Sequence, residues 1–261
     1  MAGFVAQDAV AVVTGAGSGI GAALARRLHR TGARTVVVVD RDREAARAVA
    51  DDIGAVAECV DVADPDAVAG LVGRTLERES RIDLFCSNAG IATGAGIDAP
   101  DEVWRRALDV NLMAHLYAAR AVLPAMLAHG RGYLLHTASA AGLLTNPGDA
   151  PYTVTKHGAV ALAEWLALTY GGRGIGVSVL CPMGVATPLL LDPLAAGDPA
   201  ARAVAASGEI LSPDDVADHT IAALAEGRFL ILPHPQVGTF WAQKASDVER
   251  WLAGVRRLAD R

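Results

Sequence analysis

Tyr152 and Lys156 are the two residues of this sequence whose types and spacing point most directly to chemistry. Residues four positions apart share one helix face, so the phenol and the ammonium would lie one turn from each other. A phenol with an ordinary pKa of about 10 transfers protons poorly near neutral pH. A fixed positive charge nearby stabilises the phenolate and lowers that pKa. The spacing therefore indicates proton transfer by Tyr152, although an amphipathic helix also produces it by chance.

Ser139 lies a short loop upstream, directly after a β-branched segment. Its hydroxyl could donate a hydrogen bond to a substrate carbonyl or alkoxide beside Tyr152, whereas a serine at a strand end is more often only a turn residue. Pro151 suits the first turn of a helix, where its missing N–H costs nothing. We therefore expect Tyr152 to stand at the entrance of a helix, facing the C-terminal edge of a sheet.

The elements that would position these residues alternate between short β-branched segments and longer segments rich in Ala and Leu. The strand segments are nearly continuous apolar runs, which is typical of strands covered by helices on both faces. The pattern predicts an α/β fold with a Rossmann-like doubly wound parallel sheet of about seven strands and helices on both faces. The predicted strands are 10–14, 35–40, 55–60, 82–86, 133–137, 176–181 and 229–232. The predicted helices are 20–31, 43–52, 65–79, 102–127, 152–170, 213–225 and 248–258.

The length of 261 residues suits one domain spanning residues 1–261, and no linker or repeat divides it. The segment around residues 187–210 is rich in Leu, Ala, Gly and Pro and is predicted to cover a site at the strand ends. The apolar runs are shorter than the roughly 20 residues of a membrane span, and no secretory signal precedes the first strand. We therefore expect a cytoplasmic protein without membrane contact.

Charge and cysteine content exclude other classes. A net charge of -6 without a basic cluster argues against nucleic-acid binding, which depends on Lys and Arg contacts. Cys59, Cys86 and Cys181 are odd in number and widely spaced within apolar segments, so we expect reduced core thiols, with neither a disulfide framework nor a metal site.

A glycine-rich turn, Thr14-Gly-Ala-Gly-Ser-Gly-Ile-Gly21, follows the first predicted strand and opens into a helix. Glycines let the backbone turn tightly and let a pyrophosphate approach the helix N-terminus, where N–H groups favour an anion. The second strand ends in Asp40, whose carboxylate could accept hydrogen bonds from adenosine ribose hydroxyls and repel a 2′-phosphate. NAD is therefore favoured over NADP. Two alternatives remain. Asp40 could be only a solvated acid at a strand end, and Arg41 could accommodate the 2′-phosphate of NADP.

The spacing Thr-Gly-x-x-x-Gly-x-Gly is similar to that of the short-chain dehydrogenase/reductase family, whereas the general Gly-x-Gly-x-x-Gly pattern fails at Ile20. The resemblance extends in order from Thr14 to about Thr187. Ser18 occupies a position of the glycine turn that often carries a basic residue in NADP-preferring relatives, which again favours NAD. The cofactor-binding residues that the resemblance implies are Gly15, Ser18, Gly19, Ile20, Asp40, Arg41, Asp61, Val62, Asn88, Ala89, Gly90, Tyr152, Lys156, Pro182, Val185 and Thr187.

The resemblance also implies four catalytic residues. Tyr152 would be the general acid-base, Lys156 would lower its pKa and bind the nicotinamide ribose, and Ser139 would orient the substrate. Asn111 matches an asparagine that holds a water in a proton relay to the lysine, although an Asn within a helix is by itself more often a packing feature.

Two positions depart from the family pattern. Ser87 replaces the first residue of the family's Asn-Asn-Ala-Gly segment, and Met183 replaces the first glycine of its Pro-Gly-x-Val-x-Thr segment. In that second segment Val185 and Thr187 would hold the nicotinamide carboxamide. Because Met is flexible and apolar, we expect Met183 to contact the substrate.

The implied reaction is hydride transfer between NAD and a secondary alcohol or ketone. The residues expected near the substrate are mostly apolar, which favours a hydrophobic compound. They are Ala140, Leu143, Leu144, Met183, Leu189 and Leu190. Two alternatives remain: an NADPH-dependent 3-ketoacyl-thioester reductase, which Asp40 opposes, and a non-catalytic nucleotide-sensing module, which would not need the catalytic set. Relatives commonly form tetramers through their two long helices, so we expect a homo-oligomer, either tetramer or dimer. His115 and His136 are assigned to packing.

Overall fold

The computed structural model describes residues 3–259 and contains a seven-stranded parallel sheet in the order β3-β2-β1-β4-β5-β6-β7. This confirms the predicted doubly wound fold. The sheet extends in one direction from β1 to β3 and in the other from β4 to β7, so its direction of growth reverses between β1 and β4. A crevice forms beyond the carboxyl ends of the strands at such a reversal. The strands are β1 Val10–Thr14, β2 Thr35–Asp40, β3 Val56–Cys59, β4 Leu84–Ser87, β5 Gly132–Thr137, β6 Ile175–Leu180 and β7 Leu230–Ile231.

Helices cover both faces of the sheet. They are α1 Gly19–Arg30, α2 Arg43–Ile53, α3 Pro65–Glu79, α4 Asp101–Leu108, α5 Ala114–Ala128, α6 Ala141–Leu144, α7 Ala150–Tyr170, α8 Pro188–Ala195, α9 Pro199–Ala206, α10 Pro213–Ala225, α11 Gln236–Ser246 and α12 Val248–Ala259. Several begin at a capping residue that the sequence supplies: Asp42 accepts the first free amides of α2, Asp64 those of α3, and Ser212 forms a reciprocal capping box on α10.

Two hydrophobic cores lie on opposite faces of the sheet, because alternate strand residues point to opposite sides. Val12, Phe85 and Leu134 pack with α3, α5 and α7 on one face. Val13 and Leu135 pack with α1, α2 and α10 on the other. Most residues of the strands other than the edge strand β3 are buried, on both faces of the sheet, which explains why these strands appear as continuous apolar runs.

The predicted element boundaries are mostly within one or two residues of those observed, with three larger differences. The helix predicted over 102–127 contains one π-helical turn, Asp109–Met113, between α4 and α5. The segment expected to cover the site forms two helices, α8 and α9. Helix α11 follows β7 where no helix was predicted, and β7 itself has only two residues.

The environment of one cysteine was predicted wrongly. Cys86 and Cys181 are buried free thiols, but the free thiol of Cys59 is exposed, because β3 is the edge strand at that end of the sheet. Within residues 3–259, no group of three or more His, Cys, Asp or Glu side chains is arranged to hold a metal.

One helical stretch, Asp101–Ala128, is long and apolar enough to cross a membrane by length and composition alone. Half of its most apolar window is buried within the protein, and α5 packs against α3 and against strands β4 and β5. These contacts are those of a core helix of the domain.

Candidate active site

A cavity of about 1960 Å³ opens at the carboxyl ends of the strands. It brings together every residue predicted for catalysis or cofactor binding except Asn111, which is fully buried. Its walls come from the glycine turn, the strand ends, the first turn of α7, helices α8 and α9, and the C-terminal helices α11 and α12.

The turn between β1 and α1 leaves no room for side chains at its glycines. Gly15 has a positive φ of 62°, and a Cβ there would lie 2.7 Å from the Cα of Ala89. A Cβ on Gly21 would collide with the carbonyl of Gly15. The Ser18 side chain makes no capping hydrogen bond to the first turn of α1. The tight turn and the uncapped helix N-terminus fit a dinucleotide pyrophosphate.

Asp40 lies at the end of β2 and closes the adenosine end of the cavity. One carboxylate oxygen accepts the Gly17 N–H at 3.0 Å and the other accepts the Asp42 N–H at 3.0 Å. Each oxygen keeps a second lone pair for a ribose hydroxyl. The side chain is thereby fixed at the edge of the glycine turn, where a ribose would follow the pyrophosphate.

Asp61 and Val62 line the cavity after β3, as predicted. Burial raises the pKa of the Asp61 carboxyl, but the Ala63 N–H and the Arg106 guanidinium outweigh it and lower the pKa below its usual value. The Arg106 Nη1 lies 3.1 Å from the Asp61 Oδ2. This pair fixes one side of the space in which an adenine would lie.

Asn88 ties the loop after β4 to the glycine turn. Its backbone N–H donates to the Thr14 hydroxyl at 2.9 Å, and its side-chain amide donates to the Thr14 carbonyl at 3.0 Å. The Ala89 N–H also donates to the Thr14 hydroxyl, at 3.2 Å. The two loops that face each other across the sheet reversal therefore form one connected unit.

Tyr152 and Lys156 lie on the first turns of α7, with the Lys156 Nζ 5.5 Å from the centre of the Tyr152 ring. Lys156 is 3% exposed, and its Nζ donates to the carbonyl of Thr137 at 2.9 Å, which fixes the ammonium against the end of β5. Ser139 follows β5, and its hydroxyl accepts the Ala141 N–H at 3.1 Å. The phenol, the ammonium and the hydroxyl therefore share one wall of the cavity.

Burial is the largest influence on the pKa of Tyr152 in this structure, and the lowering of that pKa by Lys156 stays a prediction. Burial raises the pKa of Tyr152 to about 12, an effect only partly offset by the neighbouring Ser139 hydroxyl. Burial also lowers the pKa of Lys156 to about 8. The physical reason is that both groups lose water at once, while the ammonium lies over the ring and not at the phenol oxygen.

Asn111 sits in the π-helical turn and clamps the loop that follows Gly90. Its side-chain oxygen accepts the Ile91 N–H at 2.8 Å, and its amide nitrogen donates to the Ile91 carbonyl at 2.9 Å. A Cβ on Gly90 would lie 3.3 Å from both the Asn111 oxygen and the Lys156 Nζ. The asparagine and the lysine therefore approach each other beside Gly90, and the role of Asn111 in a proton relay stays a prediction.

Asp149 is a site residue that the sequence reasoning missed. Its buried carboxylate accepts four hydrogen bonds: from the Thr93 N–H and hydroxyl, both at 2.6 Å, from the Gly94 N–H at 2.8 Å, and from the Tyr152 N–H at 2.9 Å. It thus caps α7 and fastens the loop after β4 to the turn that carries Tyr152. An Asp directly before Ala-Pro is the N-cap pattern that could have identified it.

Replacing Asp149 by Ala should lower the free energy of unfolding by about 3 kcal/mol, because the N–H groups of Thr93, Gly94 and Tyr152 lose a charged acceptor. Urea unfolding of the purified variant measures this. Asp98→Ala, which removes an exposed carboxylate from the same loop region, is the matched control and should change stability little. Equal unfolding midpoints for the two variants would contradict the assignment.

Lys156 should make stability depend on pH. Its pKa is about 8 in the folded protein, against an ordinary 10.5, so the unfolded chain holds more protons between these values. Stability must therefore rise with pH across that window and be lowest below about pH 8. Between about pH 7 and about pH 9.5 the wild-type protein should gain about 2 kcal/mol more than Lys156→Met. Urea unfolding at both pH values checks this, and identical pH dependence in the two proteins would contradict it.

The segment Pro182–Thr187 follows β6 and lines the cavity, and its Thr187 lies beside the glycine turn, where a Cβ on Gly19 would lie 3.0 Å from the Thr187 Cγ2. Met183 also lines the cavity, and its Cε would lie 2.7 Å from a Cβ placed on Gly208. Contact of Met183 with a substrate stays a prediction. Leu143, which was expected near the substrate, is 5% exposed, packs in the core and does not line the cavity, because it faces inward from the short helix α6.

Part of the cavity wall could not be foreseen from the chain. Phe240 of α11 and Trp251 of α12 line it, and their rings pack at 6.2 Å. The short, weakly patterned α11 gave no sequence signal, and its place beside α6 is set by tertiary packing. His115 and His136 are buried, stacked on each other at 5.2 Å, and do not line the cavity.

Comparison with known proteins agrees with this geometry. A family model described as short chain dehydrogenase matches residues 9–193, and the chain belongs to the short-chain dehydrogenase/reductase family. Members with named substrates act on hydroxyl groups, and the protein is an NAD(P)-dependent oxidoreductase of CH–OH groups.

Individual relatives cover most of the chain. The 1-deoxy-11-beta-hydroxypentalenate dehydrogenase of Streptomyces exfoliatus is 36% identical over 252 residues, covering 94% of this chain and 90% of that protein. The cyclohexanol dehydrogenase of Acinetobacter sp. strain SE19 is 36% identical over 195 residues, covering 71% and 76%. A crystal structure of a family member from Burkholderia phymatum in complex with NAD has a TM-score of 0.85 and 31% identity, covering 94% of this chain and 96% of that one.

Proposed function

We propose that the protein transfers a hydride between NAD and a hydrophobic secondary alcohol or the corresponding ketone, with Tyr152 as the general acid-base. The observation that carries this proposal is the convergence of Tyr152, Ser139 and Lys156 on one wall of an otherwise largely apolar cavity. A phenol, a hydroxyl and an ammonium in one desolvated wall suit proton transfer at a single substrate oxygen.

The protein's own groups handle the proton and the orientation. In oxidation the phenolate form of Tyr152 takes the hydroxyl proton of the alcohol and becomes the phenol, and in reduction the phenol donates its proton to the ketone oxygen and becomes the phenolate. Ser139 donates a hydrogen bond to the same oxygen and orients it. When bound, the nicotinamide supplies the hydride acceptor or donor and, in its oxidised form, a positive charge. Such a charge stabilises phenolate and would lower the pKa of about 12 that burial gives Tyr152.

The cofactor assignment to NAD rests on Asp40. Its fixed carboxylate at the adenosine end favours two ribose hydroxyls and repels a 2′-phosphate. Val185 and Thr187 are assigned to the nicotinamide carboxamide and Asp61 and Val62 to the adenine. Pro182, Asn88, Ala89 and Gly90 are assigned to cofactor binding, with Gly90 beside Lys156.

The substrate class rests on the lining of the cavity. Five of the six residues expected near the substrate line it, and Phe240 and Trp251 add aromatic surface. Two relatives are named for a hydroxypentalenate and for cyclohexanol. We infer a cyclic or otherwise bulky apolar secondary alcohol.

A panel of alcohols and ketones, assayed with both nicotinamide cofactors, tests the proposal. We expect NAD-dependent oxidation of cyclohexanol and related apolar secondary alcohols, at least about tenfold more efficient than with NADP. Reduction of a 3-ketoacyl thioester with NADPH alone would favour the thioester reductase. Binding of NADH without turnover of any compound would favour the nucleotide-sensing module.

We also propose that the protein forms a homo-oligomer through α7. Three large apolar side chains are exposed on one side of this helix: Val154, Trp165 and Leu168. Trp165 is 56% exposed and Leu168 is 86% exposed. Large apolar groups exposed together on one element mark an interaction surface. Light scattering distinguishes monomer, dimer and tetramer.

The cytoplasmic location of the protein stays a prediction.

A further inference from the structure

Three backbone hydrogen bonds to residues outside the segment fix Pro182–Thr187. The Pro182 carbonyl accepts the Ala140 N–H at 2.8 Å, the Gly184 carbonyl accepts the Leu211 N–H at 3.1 Å, and the Ala186 N–H donates to the Leu211 carbonyl at 2.9 Å. These bonds leave the Met183 N–H without a backbone acceptor among them. That group faces a side chain from a distant part of the chain.

His234, shortly after β7, supplies this acceptor. Its Nδ1 accepts the Met183 N–H at 3.1 Å, and its Nε2 donates to the Gly184 carbonyl at 3.0 Å. Because a backbone N–H can only donate, Nδ1 must be unprotonated and the proton must reside on Nε2. One neutral imidazole in one tautomer thus holds two successive residues of the segment.

The surroundings maintain that neutral state. His234 is 2% exposed, and burial lowers its pKa together with the nearby His219, against the opposing effects of the Gly184 and Glu209 carbonyls and the Glu209 carboxylate. A charged ring would lose the Met183 bond, because both of its nitrogens would then be donors.

We propose that His234 is a positioning residue that orients the Met183–Gly184 backbone so that Val185 and Thr187 meet the nicotinamide. It does not line the cavity and so acts through the segment it holds. The inference rests on the proposed nicotinamide-binding role of that segment. Met183, which stands in place of a family glycine, is the residue whose backbone N–H this side chain holds.

His234 also joins the segment to the C-terminal part of the cavity wall. Its carbonyl accepts the Val237 N–H at 3.0 Å in the first turn of α11. Phe240, on the same helix, lines the cavity. His234 therefore connects Pro182–Thr187, through its imidazole, to helix α11, through its backbone carbonyl.

Binding of NADH and of ADP-ribose, which lacks the nicotinamide, tests the proposal by calorimetry. For His234→Leu we expect the Kd of NADH to rise about tenfold while the Kd of ADP-ribose stays within about twofold of wild type. His234→Gln should restore NADH affinity to within about threefold of wild type, because an amide offers one acceptor and one donor. His129→Leu, an exposed histidine at the end of α5, is the matched control and should bind both ligands normally.

Other outcomes overturn the proposal. Unchanged NADH affinity in His234→Leu, or equal weakening of NADH and ADP-ribose, would mean that the imidazole supports the fold and not the nicotinamide segment. A wild-type protein that binds neither ligand would remove the proposed function and this inference with it.

If His234→Leu does not fold, nitrogen NMR of the wild-type protein decides. The ring resonances of His234, identified by their absence in His234→Gln, should report a neutral ring protonated on Nε2. They should shift on addition of NADH and not of ADP-ribose, and identical shifts with both ligands would overturn the proposal.

Discussion

Replacing Tyr152 by Phe should reduce turnover of the preferred alcohol by about 10³-fold or more, because no other group on that wall of the cavity is placed to exchange a proton with the substrate oxygen. Lys156 donates to the Thr137 carbonyl, and the Ser139 hydroxyl accepts the Ala141 N–H and is assigned to orienting the substrate. The phenyl ring fills nearly the same volume, so the fold should be retained and NADH binding should remain measurable. Steady-state kinetics and fluorescence titration with NADH measure the two quantities.

Tyr117→Phe is the matched control for this variant. Tyr117 lies on α5, is partly buried, and does not line the cavity. It should retain wild-type turnover. If Tyr152→Phe keeps activity comparable to that of Tyr117→Phe, the assignment of the general acid-base is wrong.

Replacing Asp40 by Ala should lower the preference for NADH over NADPH by about 100-fold in kcat/KM. Hydrogen bonds from ribose hydroxyls to a carboxylate are worth about 1.5–3 kcal/mol, and the repulsion of a 2′-phosphate disappears at the same time. The neighbouring Arg41 remains to attract that phosphate. Comparison of kcat/KM with the two reduced cofactors on one ketone measures the change.

Asp42→Ala controls for the loss of charge and of a backbone contact. Its carboxylate also lines the cavity, but it caps α2 by accepting the Glu44 and Ala45 N–H groups. We expect this variant to lose about 1 kcal/mol of stability and to keep the cofactor preference. An equal loss of preference in both variants would show that general charge, and not the Asp40 carboxylate, selects the cofactor.

The sequence predicted the fold and most of the expected cavity-lining residues because both depend on local patterns. Continuous apolar strands, the glycine turn and the acidic end of β2 are each visible within a few residues. The carboxyl ends of parallel strands meet at one sheet edge, so residues directly after strands were correctly expected to converge.

Features that depend on distant contacts escaped prediction. Three of the four hydrogen bonds of Asp149 join loops more than 50 residues apart, and His234 reaches a segment about 50 residues upstream. Helix α11 has no strong periodicity and is fixed by packing against α6 and α12. The burial of Tyr152 and Lys156, which shifts the pKa of each group, also escaped prediction, because sequence spacing reports a neighbouring charge but not the loss of water around it.

Deuterium transfer is the most direct test of the central claim. NADH carrying deuterium at the reactive ring carbon would be incubated with the wild-type protein and apolar ketones such as cyclohexanone, and the alcohols analysed by mass spectrometry. We predict deuterium on the carbinol carbon with the wild-type protein and none above background with Tyr152→Phe. Absence of transfer to every ketone by the wild-type protein, or equal transfer by both proteins, would contradict the account.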